Sequence, residues 1–310
     1  MIRNILVTGS SGTIGTRLCE VLVKKGFSVT GVDKAPNSWS GEINNLTFIS
    51  DLTKAGCFEK VKDKEFDLVI HLAANARVYD SVVNPDLAFE NFVSTYNTLE
   101  FARKKKSCFM FASSREVYGN SEKTLHSESD VRLELCESPY SATKMAAEAL
   151  VQAYHKCFGV GFVIFRFSNV YGMYDETDRV VPLFIRKCLA GDGLTVFGEE
   201  KMLDFTFIDD AIRGVVSAVE RFDSVKNNVI NISGAEPVRI LDVAEIVKRL
   251  TNSSSKINID NNRLGEVVKY TADLTKAKQL LGYSPKTPIE EGIKHAIKWH
   301  HLVSASPPLP

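Results

Sequence analysis

An α/β fold, a doubly wound parallel sheet with a smaller C-terminal α/β lobe, is predicted by three observations. Short runs that are apolar throughout alternate with helical patterns, which marks strands covered on both faces. The first run leads directly into three glycines at spacing three, Gly9, Gly12 and Gly15, and then into a helix-like pattern of Ile14, Leu18, Val21 and Leu22. The second run, Phe27 to Val32, ends at Asp33, about twenty residues after the glycines.

In chain order, strands are expected at Ile5–Thr8, Ser28–Val32, Leu46–Ser50, Leu68–Leu72, Cys108–Ala112 and Gly161–Phe167, because each is a strand-length apolar run. Between them, helical periodicity predicts Thr13–Lys25, Pro85–Lys105 and Pro139–Phe158. Residues 1–167 are therefore read as a nucleotide-binding domain. The pattern loosens after residue 168. Helices are expected at Val181–Leu189, Asp209–Arg221, Leu241–Leu250 and Leu274–Leu280, with short strands at Thr195–Phe197 and Val229–Ile232. Residues 168–300 then form the smaller lobe, with 206–222 returning to pack on the first domain. Thr251–Lys256 is a polar loop, and residues 301–310 end in a Pro-rich, flexible tail.

The bulk numbers exclude several classes. The chain has 310 residues, 38 Lys and Arg against 38 Asp and Glu, and a formal net charge of zero. Such a balance argues against a nucleic-acid or anionic-membrane partner. Its apolar runs fall far short of the ~20 residues a membrane span needs. The N-terminus enters a core strand at once, which leaves no room for a signal peptide. The six cysteines, at 19, 57, 108, 136, 157 and 188, contain no Cys-x-x-Cys pair. Buried free thiols and a reduced, cytoplasmic setting follow. No metal is expected. His300-His301 reads as a surface pair without partner ligands, and His71 as structural.

Two motifs carry chemistry. A glycine turn between strand and helix aims backbone N–H groups and a helix N-terminus at a diphosphate, so Gly9, Gly12, Thr13, Ile14 and Gly15 are expected to hold a dinucleotide. Asp33 is suited to the two ribose hydroxyls of NAD and would repel the 2′-phosphate of NADP; Lys34 softens that preference. Further on, Tyr140-Ser-Ala-Thr-Lys144 puts two residues four apart on one helical face. The Lys144 ammonium is expected to lower the Tyr140 phenol from its usual ~10, making it a base for an alcohol proton. Ser114, at the end of an apolar strand, is its expected companion.

With these residues in this order, the chain resembles the extended short-chain dehydrogenase/reductase family, which has the Rossmann fold, and more narrowly its NAD-dependent nucleotide-sugar epimerase/dehydratase branch. The likeness runs from residue 2 to about 300. Asp51-Leu52 resembles the adenine-contacting pair. His71-Leu72-Ala73-Ala74 resembles the fourth-strand segment that lines the cofactor. Asn91 resembles the helix asparagine near the nicotinamide. Phe165-Arg-Phe-Ser-Asn169-Val-Tyr-Gly172 resembles the segment whose asparagine binds the sugar diphosphate, and Arg263-Leu-Gly-Glu266 the arginine turn that clamps it. Asp204-Phe-Thr-Phe-Ile-Asp209-Asp210 resembles the helix entry of the substrate lobe. The hydroxyl four residues before Tyr118 is the family's catalytic one, which selects Ser114 over Ser113.

The resemblance implies NAD as cofactor, a homodimer through residues 85–105 and 139–158, and a 4-epimerase of the UDP-glucose/UDP-galactose type. Tyr140 would take the C4 hydroxyl proton with Ser114 bonded to the same oxygen, Lys144 would hold the phenolate, and hydride would pass to NAD and back through a 4-ketose. Two departures and one gating position matter. Dehydratases of the branch carry Asp-Glu after the serine; here Arg115 replaces the aspartate while Glu116 remains, and Glu116 is counted with Ser114, Tyr140 and Lys144 as a catalytic candidate. Loss of water would lack its proton donor, whereas a UDP-glucuronate decarboxylase-like enzyme needs none; both the 4,6-dehydratase and the decarboxylase stay open as alternatives, as does a non-enzymatic NAD-binding sensor. Leu203 stands where an arginine is usual, with Lys201 two residues earlier. Finally, Tyr270 is expected to crowd a C2 acetamido group and so to favour a plain UDP-hexose.

Overall fold

The computed structural model describes residues 2–305. In chain order the elements are β1 (Asn4–Thr8), α1 (Thr13–Lys24), β2 (Ser28–Asp33), α2 (Gly41–Leu46), β3 (Thr47–Ile49), β4 (Leu68–His71), α3 (Val78–Val83), α4 (Asp86–Lys105), β5 (Cys108–Ser114), β6 (Leu125–His126), α5 (Pro139–Phe158) and β7 (Phe162–Phe167). There follow β8 (Asn169–Tyr171), α6 (Val180–Ala190), β9 (Leu194–Phe197), β10 (Met202–Phe207), α7 (Ile208–Glu220), α8 (Phe222–Val225), β11 (Asn228–Ile232), β12 (Pro237–Arg239), α9 (Ile240–Leu250), β13 (Ile257–Asp260), β14 (Thr271–Ala272), α10 (Thr275–Leu281) and α11 (Ile289–Ala305).

Seven parallel strands form the central sheet, in the order β11-β7-β5-β4-β1-β2-β3. Successive side chains of a strand point to opposite faces. Ile5 and Val7 therefore join a core with Leu18 and Leu22 of α1, while Leu6 joins a second core with Leu99 of α4 and Val151 of α5. Both faces are dry, which is why these strands read as continuous apolar runs. Small sheets, β12-β10-β8, β13-β9 and β14-β6, build the region beside the carboxyl ends of the central strands.

The structure corrects the sequence reading at several points. The strand expected at Val229–Ile232 was grouped with the smaller lobe; it is β11, paired in parallel with β7 and closing the central sheet. The chain leaves after β7 to form β8, α6, β9 and β10 and returns through α7, which packs on α1 where Arg17 Nε donates to Asp209 at 2.7 Å. Leu46 ends α2 rather than opening a strand. His300 is buried against Trp299, not on the surface, because α11 folds onto the body of the protein; His301 is exposed. That helix also runs to Ala305, so 301–305 are not a loose tail, and 306–310 lie outside the described residues.

Ile230 of β11 is fully buried. If β11 is an integral strand, Ile230→Ala should cost about 2–5 kcal/mol in urea unfolding; a loss under ~0.5 kcal/mol would contradict the assignment.

Candidate active site

Parallel strands bring the ends of β1, β2, β4, β5 and β7 to one edge, where crevices of doubly wound sheets lie. At the end of β1, Gly9 adopts φ +75°, and a Cβ there would lie 2.7 Å from the Ala73 nitrogen. A Cβ on Gly15 would lie 1.9 Å from the Gly9 carbonyl oxygen, so only glycine lets α1 start this close to the turn. The first turn of α1 has neither a side-chain cap nor an acidic residue, which leaves its N–H groups for an anion. The Ser11 N–H donates to Asp33 Oδ2 at 3.0 Å, so the carboxylate sits at the rim of the turn, with Lys34 exposed beside it. Leu52 is buried and its carbonyl accepts from Asn97 at 2.8 Å, while Asp51 accepts from the N–H and hydroxyl of Thr53. Asn91 does not face the cavity directly. Its amide oxygen accepts from the Asn75 N–H at 2.7 Å and its amide nitrogen donates to the Asn75 carbonyl at 3.0 Å, which braces the loop that follows Leu72, Ala73 and Ala74. This turn, with its close backbone approach and free helix N-terminus, fits a dinucleotide diphosphate, and the Asp33 carboxylate at its rim is placed to meet hydroxyls.

The cavity continues past Ile14, Leu72 and Ala74 to Ser114, Tyr140 and Lys144. Ser114 ends β5, and its hydroxyl accepts from the Glu116 N–H at 3.2 Å, which starts a tight turn over Arg115–Tyr118. The α5 helix starts from the Ser138 cap with Pro139 in its first turn, so Tyr140 and Lys144 lie at the helix end nearest the strand edge. Lys144 Nζ donates to the Ala112 carbonyl at 2.8 Å and lies 5.7 Å from the Tyr140 ring centre.

The expectation of an acidified phenol is not met by these residues alone. Burial pushes Tyr140 up to about 12, although the Ser114 hydroxyl pulls it down; Glu116 pushes it up again, against Arg179 and Arg115. Burial likewise lowers Lys144 to about 8, partly offset by Glu148. The lysine spends one donor on Ala112, and burial is the largest influence on the phenol. Behind it lies a buried polar support: Glu148 accepts from Arg166 at 2.7 and 3.0 Å and from the Ser113 hydroxyl at 2.5 Å.

On the substrate side, Asn169 lines the cavity, donating to the Asp204 carbonyl at 2.9 Å. Arg263 also lines it, stacked 3.9 Å from the centre of Phe197 and 4.9 Å from that of Tyr79. Tyr270 does not line the cavity. It is buried behind Arg115, stacked on Tyr118 and His126 at 5.5 Å each, so the proposed gate over a C2 substituent is corrected. An aromatic ring can reach such a layer only when β6 and β14 pair, which spacing in sequence does not reveal. Lys201 forms a salt bridge with Glu266 and so is not a free replacement for the arginine absent at Leu203. Arg77 and Arg179, both lining the cavity, carry no periodic signal in the sequence and were missed.

The parallel sheet, the glycine turn and the meeting of Ser114 with buried Tyr140 and Lys144 at one cavity fit a nicotinamide-dependent enzyme acting on an alcohol. The model of the NAD dependent epimerase/dehydratase family matches residues 5–233. A UDP-glucuronate 4-epimerase of Thermodesulfobacterium geofontis is 32% identical over 314 residues, 95% of each chain. A UDP-N-acetyl-alpha-D-glucosaminuronate decarboxylase of Bacillus cytotoxicus is 33% identical over 320 residues, covering 96% of this chain and 98% of its own. The solved UDP-glucose 4-epimerase of Thermotoga maritima with UDP-glucose superposes with a TM-score of 0.88 at 28% identity, covering 97% and 99% of the two chains. This chain belongs to the NAD-dependent epimerase/dehydratase family, and its cofactor is NAD.

Lys144 titrates near 8 instead of its ordinary 10.5. Between those values the unfolded chain still binds the proton that the folded chain has released, so this group's contribution to stability rises with pH across that window. Unfolding free energies of the parent and Lys144→Met at about pH 7.5 and about pH 10 should therefore diverge in the parent's favour at the higher pH. A pH-independent difference would contradict the burial of the ammonium.

Proposed function

We propose that this chain is an NAD-dependent nucleotide-sugar 4-epimerase acting on a UDP-hexose through a transient 4-keto sugar. The observation that carries this reading is the meeting of Ser114 and Tyr140 at the floor of a cavity whose wall bears Arg263, with an arginine and no carboxylic acid at position 115. Tyr140 removes the proton of the C4 hydroxyl. Ser114 bonds the same oxygen and keeps it aimed at the phenol. Lys144 keeps one donor on Ala112 and has others for the phenolate and a ribose hydroxyl. NAD, when bound, supplies the hydride acceptor and a positive ring that favours the phenolate. Arg263 and Asn169 hold the diphosphate while the sugar turns its other face, since a planar guanidinium suits phosphate.

Glu116 faces the same cavity and is paired with Arg115 at 2.7 Å. An arginine is a poor general acid, which disfavours loss of water from C6. The decarboxylase relative keeps that activity as the second reading, and a sensor that merely binds NAD is the third. Incubation with a panel of UDP-, dTDP-, CDP- and GDP-sugars, with products resolved by chromatography and mass, separates them. Unchanged mass with a new retention time is expected. A product lighter by water or by carbon dioxide would replace this reading with a dehydratase or a decarboxylase. Tyr140→Phe should lower kcat by about 10²–10⁴-fold and leave NAD content unchanged.

A homodimer through α4 and α5 is supported by their exposed aromatics, Phe89 and Tyr96 on α4 and Phe158 on α5. Light scattering should give twice the chain mass for the parent and the single mass for Phe89→Glu/Tyr96→Glu. The six unpaired cysteines support a reduced, cytoplasmic setting. No helix among the described residues is long and apolar enough to cross a membrane.

A further inference from the structure

The cavity wall beside Ser114 carries four charges in two pairs. Arg115 Nη2 lies 2.7 Å from Glu116 Oε1, and Lys201 is bonded to Glu266 next to them. Arg115, Glu116 and Lys201 are each more than nine-tenths buried. The first of these pairs is incomplete in one respect. Arg115 Nη1 and Glu116 Oε2 are both buried and have no hydrogen-bond partner among the described residues. One is an obligate donor, the other a carboxylate acceptor, and they belong to adjacent residues. Buried orphans of this kind are costly, so a group that satisfies both is favoured over one that satisfies a single side.

A hydroxyl meets the requirement, because its oxygen accepts from the guanidinium while its proton goes to the carboxylate. A carboxylate does not. It can accept from Arg115 but offers Glu116 only a second negative charge in a dry pocket. Nor does the wall hold a spare cation for it. Arg115 and Lys201 are already matched by Glu116 and Glu266, Arg179 lies 2.8 Å from buried Asp175, Arg77 lies 3.2 Å from Asp80, and Lys144 donates to a carbonyl. Arg263, stacked on rings rather than on a carboxylate, remains for the diphosphate.

We propose that the Arg115–Glu116 pair is a specificity element that selects a nucleotide sugar with neutral hydroxyls beside the reacting carbon and rejects the corresponding uronate. The inference rests on the 4-epimerase reading and deepens it. It also sets this chain apart from its relative named a UDP-glucuronate 4-epimerase. Both residues follow directly on Ser114, and both act electrostatically on Tyr140, so they flank the atoms next to the carbon being oxidised.

The test compares UDP-glucose with UDP-glucuronate in the NAD-loaded protein, by kcat/KM and by equilibrium binding. The parent should prefer UDP-glucose by at least ~50-fold. Glu116→Gln keeps the shape, removes the negative charge and leaves Arg115 uncompensated. It should narrow the preference at least ~10-fold, chiefly through a lower KM and tighter binding for UDP-glucuronate. A parent that takes the uronate as well as the plain sugar, or a variant with an unchanged ratio, overturns the proposal. If neither sugar is turned over, the epimerase reading fails. The binding ratio then decides the selectivity: a preference for UDP-glucose that Glu116→Gln narrows supports it, and equal binding overturns it. Should the variant not fold, the parent's own ratio decides.

Discussion

The constraint on which the rest depends is that every strand of the central sheet runs the same way. Parallel strands need crossovers, and crossovers put the carboxyl ends of β1, β2, β4, β5 and β7 along one edge. Gly9, Asp33, Leu72, Ser114 and Asn169 come from distant parts of the chain and meet there for that reason alone. The close approach of Gly9 to Ala73 shows how tight this meeting is: a single methyl group on the turn would strike the backbone leaving β4.

Charge in a dry crevice is the second theme. Tyr140, Lys144, Arg115, Glu116, Glu148 and Arg166 are all buried. Removing ions from water costs several kcal/mol each, so they survive only when matched. Arg166 answers Glu148 with two contacts, and Ser113 adds a third. The result is a matched polar layer behind the helix that carries Tyr140 and Lys144. On the other side of the crevice the Arg115–Glu116 pair is matched in charge and left open in hydrogen bonding, which is what a polar, uncharged ligand group can exploit.

Legibility in the sequence followed physical cause. The glycine turn could be read because backbone contact tolerates no side chain there. The buried strands could be read because both faces are apolar; β1, β2, β4, β5 and β7 fell within a residue or two of expectation. β12 and β13 are only three and four residues long, so even the alternation of Ile257-Asn258-Ile259-Asp260 is too short to stand out. The helix α11 was missed although Ile293, Ala296 and Ile297 face the core.

The residue order alone determined the class of fold, the dinucleotide turn and the Ser114, Tyr140 and Lys144 set, since each depends on local spacing and on chemistry carried by a few side chains. Only the tertiary structure decided that β11 belongs to the central sheet, that Tyr270 lies behind the crevice instead of in it, that Lys201 is committed to Glu266, and that burial, not the neighbouring ammonium, governs the Tyr140 phenol. These outcomes depend on which groups lose water together, and that is a property of packing between segments far apart in the chain.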